Sequence, residues 1–317
     1  MIKTVARVAL PVDEMLSIKK QRISSGRSTG KEKLKRISVV TGIHGDELEG
    51  QFVAYELQRR INAEPDKLCG IVDIYPAMNP LGIDSITRGI PAFDLDMNRL
   101  FPGNINGNMT EYLAAEIIKD VKGSDAVIDI HASNIFLTEI PQIRINELHQ
   151  DRLVPMAEKC NVDFIWVHGA STVLESTFAY SLNSVGTPTL VVEMGVGMRI
   201  TKSYGEQLTD GILSLMKSMG MWSGETKEPR KPIVSTDWRD VIYLNASVGG
   251  IFVQDVQHWQ SLKEGEVIGR ILDPLSGKVL DTVTAPEDGL LFTIREYPVV
   301  DEGSLIGRML KKDVCGL

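Results

Sequence analysis

The chain has 317 residues, 43% of them hydrophobic, which is long enough for a full catalytic domain with a smaller one beside it. Its 42 acidic residues outnumber its 34 basic ones, and the net charge of −8 repels polyanions, which argues against a nucleic-acid partner. No stretch of about twenty apolar residues is present to cross a bilayer, and no apolar run follows a basic start, so a soluble cytoplasmic protein without a membrane partner is expected. Cys69, Cys160 and Cys315 are widely spaced and odd in number, which reads as ordinary reduced thiols rather than a disulfide framework or thiolate metal site.

From Thr4 to about Gly220, short β-branched runs alternate with stretches of helical periodicity, the pattern of an α/β domain built on a mainly parallel mixed sheet flanked by helices. The segment Lys19–Arg36 carries eight Lys or Arg and one acid, with Ser-Ser-Gly and Ser-Thr-Gly inside it, and reads as two strands joined by a solvated basic loop. The pattern predicts strands over 37–41, 71–76, 126–131, 164–167 and 189–193. Helices are predicted over 47–62, 110–121, 151–160, 177–185 and 204–219. Functional residues of such sheets gather where the strands end at their carboxyl edge. Residues 1–222 are therefore expected to form the catalytic domain. The polar, proline-containing stretch 223–232 reads as a linker. Beyond it, 233–317 shows short strands punctuated by Gly249-Gly250, Glu264-Gly265, Asp288-Gly289 and Glu302-Gly303, as in a smaller C-terminal all-β barrel or sandwich.

Four segments carry candidate chemistry. In Thr41-Gly42-Ile43-His44-Gly45-Asp46-Glu47 an apolar run ends in a glycine-flanked histidine followed three residues later by a glutamate, which sets both at a strand-to-helix turn. His131 ends a second strand, and the period of two places Asp129 on the same face. Two histidines and a glutamate would leave the fourth position of a tetrahedral zinc ion open to water, which the metal acidifies. Asp129 is then equally readable as an orienter of a ligand histidine or as a carboxylate satisfied by backbone donors. Thr87-Arg88-Gly89 and Asp94-Leu95-Asp96-Met97-Asn98-Arg99 are dense in groups that grip an anion. Glu193 stops the apolar run Leu190–Val192, where it would be either a solvated or ion-paired carboxylate or a general base facing the water. His149, His168 and His258 lie outside these segments and read as structural or solvated, with His168 the one most able to line a pocket.

Together, His-Gly-Asp-Glu (44–47), Asp-x-Asn-Arg-x-Phe-Pro-Gly (96–103), Asp-Ile-His (129–131) and Val-Glu-Met-Gly (192–195) resemble, in order and spacing, the succinylglutamate desuccinylase/aspartoacylase family of the zinc carboxypeptidase-like fold. The resemblance covers nearly the whole chain, and residues 284–289 and 297–303 look like the family's β-rich appendage. It implies one zinc per chain on His44, Glu47 and His131, Glu193 as the base that activates water, and Arg88 as the group that polarises the scissile carbonyl. Asn98 and Arg99 would hold the α-carboxylate of a small-molecule substrate. Members that act on acidic amino acids place an arginine where Phe178 stands here, which points Phe178 toward the substrate and argues against a second carboxylate on it.

The activity these readings imply is a zinc-dependent amidohydrolase, a deacylase of a small N-acyl amino acid. The alternatives are a metallocarboxypeptidase acting on a small peptide and a non-catalytic binding protein of the same fold; the latter is disfavoured because ligands, base and clamp are all present. The sequence leaves open the acyl group, the side chain and whether the chain forms a homo-oligomer.

Overall fold

A computed structural model of the chain describes residues 1–25, 33–91, 93–169 and 175–315. It begins with an antiparallel hairpin, β1 (Ile2–Ala9) and β2 (Met15–Ser24). Most of the expected basic loop, residues 26–32, lies outside the described residues; the strands on either side are β2 and β3 (Arg36–Thr41). Then follow α1 (Glu49–Ala63), β4 (Ile71–Tyr75), α2 (Pro80–Ser85), α3 (Met109–Val121), β5 (Ala126–Ser133) and β6 (Leu137–Asn146). The next elements are α4 (Gln150–Ala157), β7 (Phe164–His168), α5 (Phe178–Ser184), β8 (Thr189–Val196) and α6 (Lys202–Ser218). Every predicted strand and helix of this region has a counterpart within a few residues. β1, α2 and β6 are additions.

The central strands are buried on both faces: β3 and β5 enclose Ile37, Val39, Val40, Ala126, Val127 and Ile128 without exposure. Helices α1 and α6 cover one face, with Val53, Leu57 and Ile61 meeting Leu208, Ile212 and Met216 in one apolar cluster. Leu113, Ile117 and Val121 of α3 pack on the other face with Phe178 and Leu182 of α5. The start of α3 is fixed by a reciprocal cap, in which Asn108 accepts from the Glu111 backbone and Glu111 accepts from the Asn108 backbone.

Residues 223–232 carry no regular element. The strands after it are β9 (Ile233–Ser235), β10 (Val241–Asn245), β11 (Gly250–Gln254), β12 (Gln260–Leu262), β13 (Val267–Asp273), β14 (Lys278–Thr284), β15 (Gly289–Arg295), β16 (Val299–Val300) and β17 (Leu305–Lys311). The order β14-β13-β11-β16 makes a small antiparallel sheet. The other C-terminal strands join the large sheet, whose order is β1-β2-β4-β3-β5-β8-β6-β15-β17-β10.

The expectation of a mainly parallel sheet needs correction. Among the described residues, parallel pairing is confined to β4-β3-β5-β8 and to β6-β7-β9. The pairs β1-β2, β2-β4, β8-β6, β6-β15, β15-β17 and β17-β10 are antiparallel. Parallel neighbours need a long crossover, which the helices supply only in the middle of the chain. At the margins, short returns and the incoming C-terminal strands reverse direction.

Candidate active site

The site forms where β3, β5 and β8, neighbours in the sheet, reach their carboxyl ends. After β3 the chain turns sharply: Gly42 has φ +69°, and a Cβ on Gly45 would lie 2.0 Å from the Gly82 backbone. Only glycine allows the His44–Glu47 turn to press that closely on α2. The Gly45 amide donates to the Arg88 carbonyl at 3.2 Å, which ties the arginine's segment to the turn. His131 on β5 and Glu193 on β8 are register partners, so both side chains emerge at one level on one face.

His44, Glu47 and His131 are all buried, and one ligand atom of each lies within 4.8 Å of the others. His44 Nδ1 is 2.8 Å from Glu47 Oε1, His131 Nδ1 is 3.0 Å from Glu47 Oε2, and the two Nδ1 atoms are 3.3 Å apart. The far ring nitrogens each face a carboxylate. Asp96 Oδ1 is 3.0 Å from His44 Nε2. Asp129 Oδ2 is 3.2 Å from His131 Nε2, in ion-pair range without hydrogen-bond alignment. Glu47 Oε2 also accepts from the Ala132 amide, and Oε1 from Arg88 Nη1 at 2.9 Å.

These contacts set the charge of the site. Burial works against the Glu47 carboxylate, but His131 and His44 outweigh it and hold its pKa far below the usual range. Burial likewise works against protonated His44, and Asp96 and Glu47 raise its pKa regardless. His131 is raised well above its ordinary value by Asp129 and Glu47 despite burial. A pocket that draws positive charge between two imidazole nitrogens and a carboxylate, with the outer nitrogens held by acids, fits a divalent cation.

Two cavities adjoin. One, of about 230 Å³, is lined by His44, Glu47 and His131 with Arg88, Asn98, Arg99, Arg144 and Glu193. The larger one, of about 260 Å³, shares Asn98, Arg99, Arg144, Val191 and Glu193 and extends to Asn146, His149, His168, Tyr180 and Asn183. Asn98 lends its side-chain oxygen to the Phe178 amide at 2.9 Å, and Arg99 Nη1 donates to the Asn98 carbonyl. Glu193 is 15% exposed; burial raises its pKa, and Arg144 and His131 pull against that rise.

Sequence reasoning thus named most of what converges here. It did not name Arg144, Asn146, Tyr180 or Asn183, or the contact of Asp96 with His44. His149, read as structural or solvated, lines the larger cavity together with His168. Phe178 is a correction. Its side chain is fully buried, 5.2 Å from the Phe101 ring in the core beneath α5, and does not line either cavity. Its aromatic ring serves packing, and Ala179 and Tyr180 present the cavity surface instead.

The N-alpha-acetyl-L-2,4-diaminobutyric acid deacetylase of Halomonas elongata is 28% identical over 272 residues, which cover 84% of this chain and 79% of that protein. The product-bound ectoine utilization protein EutE (DoeB) of Ruegeria pomeroyi has the same fold, with a TM-score of 0.79 at 18% identity over 96% of this chain and 92% of that one. A succinylglutamate desuccinylase/aspartoacylase from Rhodobacter sphaeroides gives a TM-score of 0.80 at 22% identity over 98% and 95%. Residues 33–219, well over half of the chain, match the succinylglutamate desuccinylase/aspartoacylase catalytic domain, and the protein belongs to that family.

Proposed function

We propose that this protein is a zinc-dependent deacylase that hydrolyses the amide bond of a small N-acyl amino acid. The observation that carries the reading is that the His44-Glu47-His131 cluster, Glu193 and the Asn98-Arg99 pair line one cavity. Residues 1–222 would carry the chemistry, with 233–317 as the β-rich companion. His44, Glu47 and His131 would hold the zinc, which when bound supplies Lewis acidity and brings the pKa of a water toward neutrality.

The chain's own groups supply the rest. Arg99 and the Asn98 amide hold the substrate carboxylate and so fix the amide relative to the ligands. Arg88, which lines only the cavity of the ligands, stabilises negative charge developing on the carbonyl oxygen. Glu193 takes a proton from the attacking water and delivers it to the departing amine. The amino-acid side chain extends into the larger cavity. There, among the described residues, the cation beyond Arg99 is Arg144, already paired with Glu139 and Glu193. A second substrate carboxylate would find that charge spent, which favours side chains without one.

A panel of N-acetyl amino acids, including N-α-acetyl-2,4-diaminobutyrate and N-acetylaspartate, assayed beside N-succinylglutamate and dipeptides with zinc-loaded protein, tests the reading. Release of free amino acid from an N-acyl compound is expected. Turnover of dipeptides alone would make the protein a peptidase, and tight binding without turnover would make it a binding protein.

A further inference from the structure

Strand β6 was invisible to pattern reading, and it carries a set of buried charges beside Glu193. Its pairing with β8 sets Glu139 opposite Gly195 and Gln142 opposite Glu193, three residues against two. This one-residue bulge reverses the side-chain alternation, so Glu139 joins Gln142 and Arg144 on the face that Glu193 occupies. A regular strand would have pointed Glu139 away.

Glu139 is fully buried and saturated with donors. Oε1 accepts from Arg144 Nη2 at 3.0 Å and from Arg308 Nη1 at 2.8 Å. Oε2 accepts from Gln142 Nε2 at 2.7 Å and from Thr293 Oγ1 at 2.5 Å. Thr293 lies on β15 and Arg308 on β17, so the anchor is completed by C-terminal strands. The two guanidiniums stack on the Trp166 ring, at 5.6 Å for Arg144 and 5.7 Å for Arg308. Arg144 then reaches across the cavity wall with Nη1 3.5 Å from Glu193 Oε1. The result is an alternating row of charge, Arg308, Glu139, Arg144 and Glu193, running from the C-terminal strands to the carboxylate beside the ligand cluster.

We propose that Arg144 is the positioning residue for Glu193, and that β15 and β17 hold it in place through Glu139. The proposal rests on Glu193 being the base. A carboxylate at the mouth of a cavity has rotamers that aim it away from the substrate, and a guanidinium fixed at its other end selects one of them. The C-terminal strands are then part of the catalytic apparatus although none of their side chains lines either cavity.

The test is steady-state kinetics of the zinc-loaded full chain with the N-acetyl amino acid that the panel shows to be turned over fastest. Arg144→Met is expected to lower kcat by about 10- to 100-fold, the scale of loss when a catalytic group is misplaced by roughly 1 Å. KM should stay within about twofold and zinc content should not change. Arg144→Lys, which keeps the charge but cannot fork between two carboxylates, should recover part of kcat. Arg308→Met, which lines neither cavity, should lower kcat in the same sense. In a Glu193→Gln background, Arg144→Met should cost nothing further, because its effect passes through Glu193. If Arg144→Met fails to fold, Arg144→Lys and Arg308→Met decide the matter. A raised KM with kcat intact would make Arg144 a substrate ligand, and a full additional loss in the Glu193→Gln background would show that it acts independently; either overturns the proposal. Unchanged kcat in Arg308→Met would remove the C-terminal strands from it. Near-normal kcat in Glu193→Gln alone would instead sink the assignment of the base.

Discussion

The Nδ1 atoms of His44 and His131 face each other 3.3 Å apart across the Glu47 carboxylate. Two protonated imidazoles cannot both place a hydrogen in that gap, whereas one divalent cation satisfies both lone pairs and the carboxylate together. Purified protein should therefore carry one zinc per chain, measurable by metal analysis. Removing the metal with a chelator should abolish turnover, and adding zinc should restore it. His131→Ala should lose the metal; full metal content and activity in that variant would refute the ligand set.

Asp96 holds the outer nitrogen of His44, with Oδ1 3.0 Å from Nε2. Replacing it by asparagine removes the charge that fixes the ring and its basicity. Such outer partners typically cost about 10- to 100-fold in metal affinity when lost. Chelator competition on Asp96→Asn should show a weakening of that size. Unchanged affinity would confine Asp96 to its contact with Arg88.

The two arginines should separate kinetically. Arg88 borders the ligands alone, with Nη1 2.9 Å from Glu47, whereas Arg99 borders both cavities. Arg88→Ala should mainly lower kcat, and Arg99→Ala should mainly raise KM. Equal kcat losses with KM unchanged in both would contradict the division of roles.

How much of this was legible in the sequence follows from which forces are local. The runs that became β3, β5 and β8 are apolar because both faces are covered, and a candidate side chain lies at or just beyond the end of each run, so strand and site were readable together. β6 was not readable: its ten residues Leu-Thr-Glu-Ile-Pro-Gln-Ile-Arg-Ile-Asn bury Glu139 and Gln142, and the bulge breaks the period of two. Its pairing with β15 joins residues more than 150 positions apart, so no window of sequence contains the signal. The partnership of Asp96 with His44, 52 positions away, was hidden for the same reason. Phe178 was misread because a position opposite a family arginine does not by itself fix which way the replacement side chain points. Here the ring turned inward to Phe101.

Away from the site, Asp73 is fully buried on β4 between Lys20, itself buried, and Arg22. Burial raises its pKa, but Arg22 and Lys20 outweigh that and leave it below the ordinary value. The stability these contacts contribute is thus fully present above the ordinary carboxylate range and is lost as pH falls through the depressed value. Asp73→Asn should destabilise the protein at neutral pH by about 3 kcal/mol, the low end for breaking a buried pair because Asp120 still faces Lys20. In urea titrations the gap between variant and parent should shrink as the pH is lowered below about 4. A gap that stayed constant would mean that packing, not charge, makes Asp73 matter.

Glu193 gives the most direct test of the chemistry. It stands level with His131 on the neighbouring strand, is 15% exposed, and lines both cavities. Burial favours its neutral form, while Arg144 and His131 favour the carboxylate. A bound dication in the adjacent cluster would add to the second side, so the carboxylate form needed to accept a proton prevails when the site is loaded. Glu193→Gln keeps the shape but removes basicity. General-base assistance is typically worth about 10²–10⁴-fold, so kcat should fall by at least roughly a hundredfold. Zinc content should be unchanged, because the atoms proposed to hold the metal belong to His44, Glu47 and His131. Loss of the metal in this variant would move Glu193 among the ligands. Near-normal kcat would show that the proton leaves the water by another route, through a group other than this carboxylate.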